Sequence, residues 1–149
     1  MIVRPLTKEY IDQVCEIEQQ SFSMPWHRES FEDMVNNPDA LYLCAFEGET
    51  VLGACGLLSI AGEGDICNVV VHPDMRRKGV ASALLKEMIG QGEKDYGILD
   101  FTLEVRVSND AAIGLYRKFG FAEEGIRPGF YDKPKEDALI MWRRYGRNN

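Results

Sequence analysis

The sequence lacks the long apolar segments that mark membrane and secreted proteins. No apolar stretch approaches the roughly 18 residues that a membrane-spanning helix needs. The first five residues, Met-Ile-Val-Arg-Pro, have neither the basic region nor the apolar core of a signal peptide. We therefore expect a cytoplasmic protein that does not act at a membrane.

Metal-binding residues are also sparse. The chain has 2 histidines, His27 and His72, and 4 cysteines that show no Cys-x-x-Cys spacing. Two distant histidines do not make a zinc signature, and cysteines in apolar surroundings of a cytosolic chain are most often buried thiols. We expect no metal site.

Basic residues are too few to cover a surface, because the net charge is −7. This balance disfavours direct nucleic-acid binding, which needs a basic face. The cations are instead concentrated locally at Arg76, Arg77 and Lys78. An acidic protein with one basic notch suits a small polyanionic ligand, and its remaining acidic surface suits a cationic partner such as an amine.

The length of 149 residues and the absence of repeats predict a single domain over 1–149. Apolar periodicity and turn signals predict a strand, two helices, three strands, a helix, a strand, a helix and two final strands. This order indicates an α/β or α+β layered fold, with a mixed sheet and helices on both faces. The predicted strands lie near 1–5, 41–47, 51–59, 64–72, 98–107, 121–131 and 137–144, and the helices near 8–21, 27–36, 79–94 and 109–119.

The most informative segment is a basic, glycine-containing turn between an apolar run and an amphipathic helix. The apolar run comprises Val69, Val70 and Val71; the turn and first helical residues are Arg76, Arg77, Lys78, Gly79, Val80, Ala81 and Ser82. The first N–H groups of a helix have no intrahelical partner and carry partial positive charge. Glycine lets an anion approach the backbone closely. The segment therefore predicts a phosphate or pyrophosphate cradle; the alternative is a plain surface loop with solvated cations.

A second informative segment is Leu103-Glu104-Val105-Arg106. Alternation places Phe101, Leu103 and Val105 on one face of a strand and Glu104 on the other. Pattern alone favours a solvated sheet face for Glu104. The more specific interpretation is that Glu104 faces a cleft and acts as a general base, directly or through one water.

The third segment runs from Asn109 to Phe121. Ser108 or Asn109 is suited to cap a helix, and Gly120 is suited to end it. Tyr116 is either a core aromatic or a phenol that protonates a departing thiolate. Asn109 is either a plain cap or an amide that also contacts a ligand.

Together these segments resemble the GCN5-related N-acetyltransferase superfamily. Arg76-x-x-Gly79-x-Ala81 is similar to its (Gln/Arg)-x-x-Gly-x-(Gly/Ala) acyl-CoA signature, and the segment from Asn109 to Gly120-Phe121 looks like its second hallmark. The resemblance implies an acyl-CoA N-acyltransferase fold, with a mostly antiparallel sheet of about seven strands and a splay between two central parallel strands. It also implies acetyl-CoA as co-substrate.

Further motifs narrow the resemblance to the bacterial ribosomal-protein alanine N-acetyltransferases, over about residues 1–142. They include Phe22-x-x-Pro25-Trp26, Asn68-Val69-Val70-Val71-x-Pro73 and the tail around Tyr131. In that family a Glu acts as base and a Tyr as acid, at positions matching Glu104 and Tyr116. Its coenzyme contacts match Val69–Val71, Arg77–Ser82 and Asn109. Its peptide contacts match Met24, Pro25, Trp26 and Tyr131.

The resemblance implies transfer of an acetyl group from acetyl-CoA to the N-terminal α-amine of a protein, with an alanine-initiated ribosomal protein as partner. Two alternatives remain open at this stage. One is an acetyltransferase for lysine or a small amine, and the other is a CoA-binding module without catalysis. Retention of both Glu104 and Tyr116 argues against the second.

Overall fold

A computed structural model describes residues 1–146, and its elements follow the predicted order. The last three residues, which we expected to fray, lie outside the described part of the chain. The strands are β1 (Ile2–Pro5), β2 (Ala40–Glu47), β3 (Thr50–Ile60), β4 (Glu63–Val71), β5 (Asp100–Arg106), β6 (Ala122–Tyr131) and β7 (Glu136–Arg143). The α-helices are α1 (Ile11–Ser21), α2 (Arg28–Asn36), α3 (Val80–Tyr96) and α4 (Asp110–Lys118).

The seven strands form one sheet in the order β1-β2-β3-β4-β5-β7-β6. Every neighbouring pair is antiparallel except β4 and β5, which run parallel. The predicted mixed, mostly antiparallel sheet of about seven strands is thus confirmed. The parallel pair requires a crossover connection, and α3 supplies it.

Apolar side chains form one core on each face of the sheet. On one face, α3 and α4 pack against the sheet through residues such as Leu84, Met88 and Ile113. On the other face, α1 and α2 pack through Val14, Ile17 and Phe31. The helices therefore cover both faces, as the sequence pattern predicts.

The start of the first helix differs from the prediction. Residues 8–10 form a 3-10 turn, and α1 begins only at Ile11. Thr7 precedes this turn but makes no capping bond; its hydroxyl instead donates to the Glu9 carboxylate. Gly120, the predicted end of α4, lies just beyond that helix. Its φ of +90° is a left-handed conformation that glycine adopts readily.

The central strands β4 and β5 pair only over a short distance. Their register ends at Asp65 opposite Thr102, although both strands continue beyond it. Past that point β4 has a bulge, because three residue steps from Cys67 to Val70 match two steps on β3. Asn68 lies in the bulge with φ of +59°. A bulge bends its strand, and the two strands part as the resemblance implies.

No helix among residues 1–146 is long and apolar enough to cross a membrane.

Candidate active site

A cleft of about 670 Å³ opens where β4 and β5 separate. Its walls come from four places: the end of α1 with the following loop, β4, β5 with the start of α4, and the turn between β6 and β7. Seven of the predicted site residues line it, namely Met24, Trp26, Val69, Glu104, Asn109, Tyr116 and Tyr131. Pro25, Val70, Val71 and residues 76–82 are not among its lining residues.

Glu104 lies on the polar face of β5, while its neighbours Leu103 and Val105 are buried, so the predicted alternation is confirmed. The side chain is 25% exposed, and its Oε2 lies 2.8 Å from Nε of Arg127 on β6. Asp65, on β4, also lines the cleft; burial raises its pKa, and the negative charge of Glu104 raises it further. Two carboxylates thus lie close together in the cleft, and that of Glu104 pairs with an exposed arginine of β6.

Tyr116 projects from α4 into the base of the cleft and is 7% exposed. Its ring packs near Phe121, with 6.0 Å between ring centroids. Burial raises the pKa of this phenol well above its usual value, and the nearby Cys55 and Tyr131 act in the same direction. Tyr116 therefore keeps its proton across the neutral pH range and has an O–H to give.

Tyr131 ends β6 beside Glu104. Burial raises its pKa, and the Glu104 charge adds to that shift. Arg106 of β5 holds this region together: its guanidinium lies 4.5 Å from the centre of the Tyr131 ring and donates hydrogen bonds to the carbonyls of Asp132 and Pro134. Arg106 shares the polar face of β5 with Glu104, but no sequence motif predicts this supporting role for it.

The loop between α1 and α2 forms the opposite wall. Met24 is exposed, whereas Trp26 packs against Phe31 at 5.3 Å between ring centroids and against Tyr42. The backbone N–H of Trp26 donates to Oε1 of Glu18, 3.2 Å away. This bond ties the loop to the last turns of α1.

Glu18 is another cleft residue that the sequence motifs do not single out. It is 1% exposed and is the one charged side chain among residues 1–146 that is classed as buried. Its Oε2 accepts a bond of 3.0 Å from Nδ2 of Asn68 in the bulge of β4. Burial raises the pKa of Glu18, and the bonds from Trp26 and Asn68 lower it. Burial is the larger effect, and the resulting pKa is about 7. The helical spacing of Ile11, Val14 and Glu18 places this residue on the buried face of α1, although its charge predicts exposure.

The valines of β4 are available to a ligand mainly through their backbone. Val70 is buried in the core beneath α1 and α2, and Val69 and Val71 pack against the core on the other face. The edge of β4 that faces the gap has no pairing with β5 beyond Asp65. Its N–H and C=O groups can therefore pair with an extended ligand as an added strand does.

The basic turn follows β4 and leads into α3. Gly79 is the residue before the helix and is left-handed, with φ of +80°, as is Arg77 with φ of +63°. A Cβ at Gly79 would meet no atom within 4 Å, so the backbone here is open. Arg76, Arg77 and Lys78 are exposed, and Arg76 also donates a bond to the Ser21 hydroxyl. An anion can thus reach the first N–H groups of α3.

Asn109 caps α4, because its side-chain oxygen accepts a bond of 3.2 Å from the N–H of Ala112. The predicted cap is confirmed. Since this bond uses only the oxygen, the amide N–H groups can still contact a ligand in the cleft.

Within the described residues, no group of three or more His, Cys, Asp and Glu side chains is arranged to hold a metal ion. None of the 4 cysteines is in a disulfide. Burial raises the pKa of Cys67, which lines the cleft, to about 12, so this thiol is a poor nucleophile.

Known proteins are similar to this chain in sequence and in fold. The model of the acetyltransferase (GNAT) family matches residues 11–121. A Bacillus subtilis protein, provisionally named a ribosomal protein bS18-alanine N-acetyltransferase, is 40% identical over 142 residues, covering 94% of this chain and 93% of its own. The solved ribosomal-protein-S18-alanine N-acetyltransferase of Escherichia coli has a TM-score of 0.88 and 30% identity, covering 99% of this chain and 97% of its own.

A more distant structure shares the fold alone. It is an aminoglycoside 6′-N-acetyltransferase in complex with coenzyme A, with a TM-score of 0.83 and 14% identity over 97% of either chain. The family match and the close relatives agree with the motifs described above, and the prediction of an N-acetyltransferase is confirmed. The chain belongs to the GNAT acetyltransferase family, and its relatives include proteins named as ribosomal-protein alanine N-acetyltransferases.

Proposed function

We propose that this protein transfers the acetyl group of acetyl-CoA to the N-terminal α-amine of a protein, and that the acceptor is an alanine-initiated ribosomal protein. The observation that carries the proposal is that Glu104 and Tyr116, from β5 and α4, line one cleft together with the loop at Met24 and Trp26. The names of the Bacillus subtilis and Escherichia coli relatives support the choice of acceptor.

Acetyl-CoA fits the features that follow β4. Its pyrophosphate would lie on the open backbone at Gly79 and the N-terminus of α3, with Arg77 and Lys78 adding charge. Its pantetheine amides would pair with the backbone edge at Val69–Val71, and its thioester would then lie in the gap between β4 and β5. The N–H groups of that edge are suited to stabilise a developing oxyanion.

Transfer needs two proton movements. As the amine nitrogen forms its bond to the acetyl carbon, it loses a proton to Glu104, directly or through one water. As the carbon–sulfur bond breaks, Tyr116 gives its proton to the departing thiolate of CoA. The proton on Glu104 then returns to solvent, and Tyr116 is reprotonated. No covalent enzyme intermediate is involved, in keeping with the raised pKa of the Cys67 thiol.

The acid–base equilibrium of amines favours an N-terminal acceptor over lysine. An α-amine has a pKa of about 7.7–8.0, so about a quarter to two-fifths of such groups are neutral at pH 7.5. Lysine, with a pKa of about 10.4, is neutral in only about one molecule in a thousand. Glu104, acting through one water, is therefore a sufficient base for an N-terminal α-amine. Deprotonation of a lysine amine would need about 4 kcal/mol more assistance.

The direct test is release of CoA thiol in the presence of acetyl-CoA and a peptide with the N-terminal sequence of ribosomal protein bS18. The matched control is the same peptide with its α-amine blocked and its lysines intact. Turnover only with the free α-amine supports the proposal. Turnover with both peptides moves the acceptor to lysine. CoA binding without turnover on either peptide overturns the acceptor assignment.

A further inference from the structure

Glu18 lies at the cleft but has no part in the proton transfers described above. Its two carboxylate oxygens have separate partners: Oε1 accepts from the backbone of Trp26, and Oε2 accepts from the Asn68 amide. Asn68 also donates a bond of 3.0 Å to the hydroxyl of Tyr42, whose ring packs against Trp26. The carboxylate therefore bridges two walls of the cleft that lie 42 residues apart in the sequence, at positions 26 and 68.

These two walls have different proposed tasks. Trp26 belongs to the loop that faces the acceptor. Asn68 is the left-handed residue of the β4 bulge, directly before the Val69–Val71 edge that faces acetyl-CoA. A single buried side chain thus connects the acceptor wall to the thioester wall.

Among the residues that the structure describes, no cation pairs with this carboxylate. The titratable groups that face Glu18 are Cys15 of its own helix, Tyr42 of β2 and Cys67 of β4, and all three are neutral at pH 7 because burial raises their pKa values. No ion pair to Glu18 occurs among residues 1–146. Burying a carboxylate with only neutral donors costs free energy that an apolar side chain would not. The fold alone therefore does not account for a glutamate here.

We propose that Glu18 is a positioning residue that couples the acceptor loop to the β4 bulge, so that occupation of the acetyl-CoA edge and ordering of the acceptor loop favour one another. The proposal rests on the proposed function for the assignment of the two walls. Coupling of this kind is reciprocal: if coenzyme binding orders the loop, an ordered loop strengthens coenzyme binding by the same factor.

Two variants break the bridge from either end. Glu18→Gln keeps the shape of the side chain but replaces one carboxylate oxygen with an NH2 group, so one of the two N–H groups that Glu18 binds loses its acceptor. Asn68→Gly removes the donor and tolerates the left-handed backbone. Glu16→Gln, an exposed glutamate on the same helix, is the matched control.

The first measurement is amide hydrogen exchange of the loop over residues 22–27, with and without CoA. We expect CoA to slow loop exchange in the wild type and in Glu16→Gln. In Glu18→Gln and Asn68→Gly, the ratio of the loop exchange rate without CoA to the rate with CoA should fall to about one, while CoA still binds. An undiminished ratio in both bridge variants, or a wild-type loop that does not respond to CoA, overturns the proposal.

The second measurement is kinetic. Losing a hydrogen bond to a charged group should raise the acceptor KM by about tenfold or more, while kcat at saturation stays close to the wild-type value. A variant that is merely less stable would lose kcat through loss of folded protein and would leave KM unchanged. The exchange experiment needs no acceptor, so it tests Glu18 even if the bS18 peptide is not turned over and the proposed function fails.

Discussion

Nε of Arg127 lies 2.8 Å from Oε2 of Glu104, so the carboxylate proposed as general base already has a cationic partner. Arg127 lies on β6, the edge strand, and its side chain is 59% exposed. A substrate ammonium that enters the cleft must share Glu104 with this guanidinium or displace it. The ion pair is therefore a competitor for the acceptor.

Replacing Arg127 tests this competition. An exposed ion pair is worth about 0.2–1 kcal/mol, so we expect Arg127→Gln to lower the acceptor KM by no more than about fivefold and to leave kcat unchanged. The measurement is steady-state kinetics at low and high salt, and the wild-type KM should approach that of the variant as salt screens the pair. Arg117→Gln, which breaks an exposed pair with Glu123 outside the cleft, is the control. A higher KM in Arg127→Gln would mean that Arg127 aids binding.

Glu104→Gln removes the proposed base without changing the shape of the side chain. General-base catalysis typically contributes about 10²- to 10⁴-fold, and we expect kcat/KM to fall within that range. Because Glu104 is partly exposed and its ion pair is at the surface, the melting temperature should change little. The check is the rate with an alanine-initiated peptide at several pH values. Wild-type turnover in this variant would remove Glu104 from the mechanism.

Tyr116→Phe removes the proposed acid. We expect kcat to fall by about 10²- to 10⁴-fold, as for loss of a positioned proton donor. Burial raises the Tyr116 pKa, so its proton remains in place as pH rises. The ratio of wild-type to variant kcat should therefore stay constant from pH 6 to about 10, the usual pKa of a phenol. Tyr145→Phe, at an exposed tyrosine, is the control. A ratio that falls towards one near pH 9 would contradict the role.

Arg106→Lys tests the support of the turn between β6 and β7. A guanidinium can donate to the Asp132 and Pro134 carbonyls while its plane lies over the Tyr131 ring, and an ammonium cannot reproduce that arrangement. We expect faster amide exchange at residues 131–135 and an acceptor KM raised by about tenfold. Arg144→Lys is the control, because Arg144 also makes several bonds but is not among the cleft-lining residues. This variant should leave both the amide exchange at residues 131–135 and the acceptor KM unchanged.

The elements and several site residues were predictable because local patterns report burial. Alternation along β5 put Glu104 on the polar face, and the cap at Asn109 and the stop at Gly120 fixed the ends of α4. The 3-10 turn at residues 8–10 was not predictable, because it and an α-helical turn share nearly the same apolar spacing.

The bonds that organise the cleft were not predictable, since their partners are far apart in the sequence. Glu18 meets Asn68 across 50 residues, and Arg106 meets Asp132 across 26. No periodicity specifies which polar groups meet after the sheet closes. Position 18 continues the helical spacing of Ile11 and Val14, but a charged residue type predicts exposure, so the sequence gives no sign that Glu18 is buried.

Glu18 should also leave a signature in the pH dependence of stability. Its folded pKa of about 7 exceeds the ordinary value of 4.5, so the folded state binds this proton more tightly than the unfolded state. The linked stability is present below pH 4.5 and is lost as the pH rises through 7. Relative to Glu18→Gln, which does not titrate, the wild-type free energy of unfolding should fall by about 3 kcal/mol between pH 4.5 and 8.

Urea unfolding at pH 4.5, 5.5, 7 and 8 measures this difference, with Glu16→Gln as the exposed control. For Glu16→Gln, the difference from wild type in the free energy of unfolding should hardly change with pH, because an exposed carboxylate keeps a similar pKa in the folded and unfolded states. For Glu18→Gln, a flat difference would mean that Glu18 is ionised throughout and that the donors from Trp26 and Asn68 outweigh its burial. The ionised carboxylate would then bridge the two walls at every pH measured. The coupling between the acceptor loop and β4 would in that case not weaken as the pH is lowered.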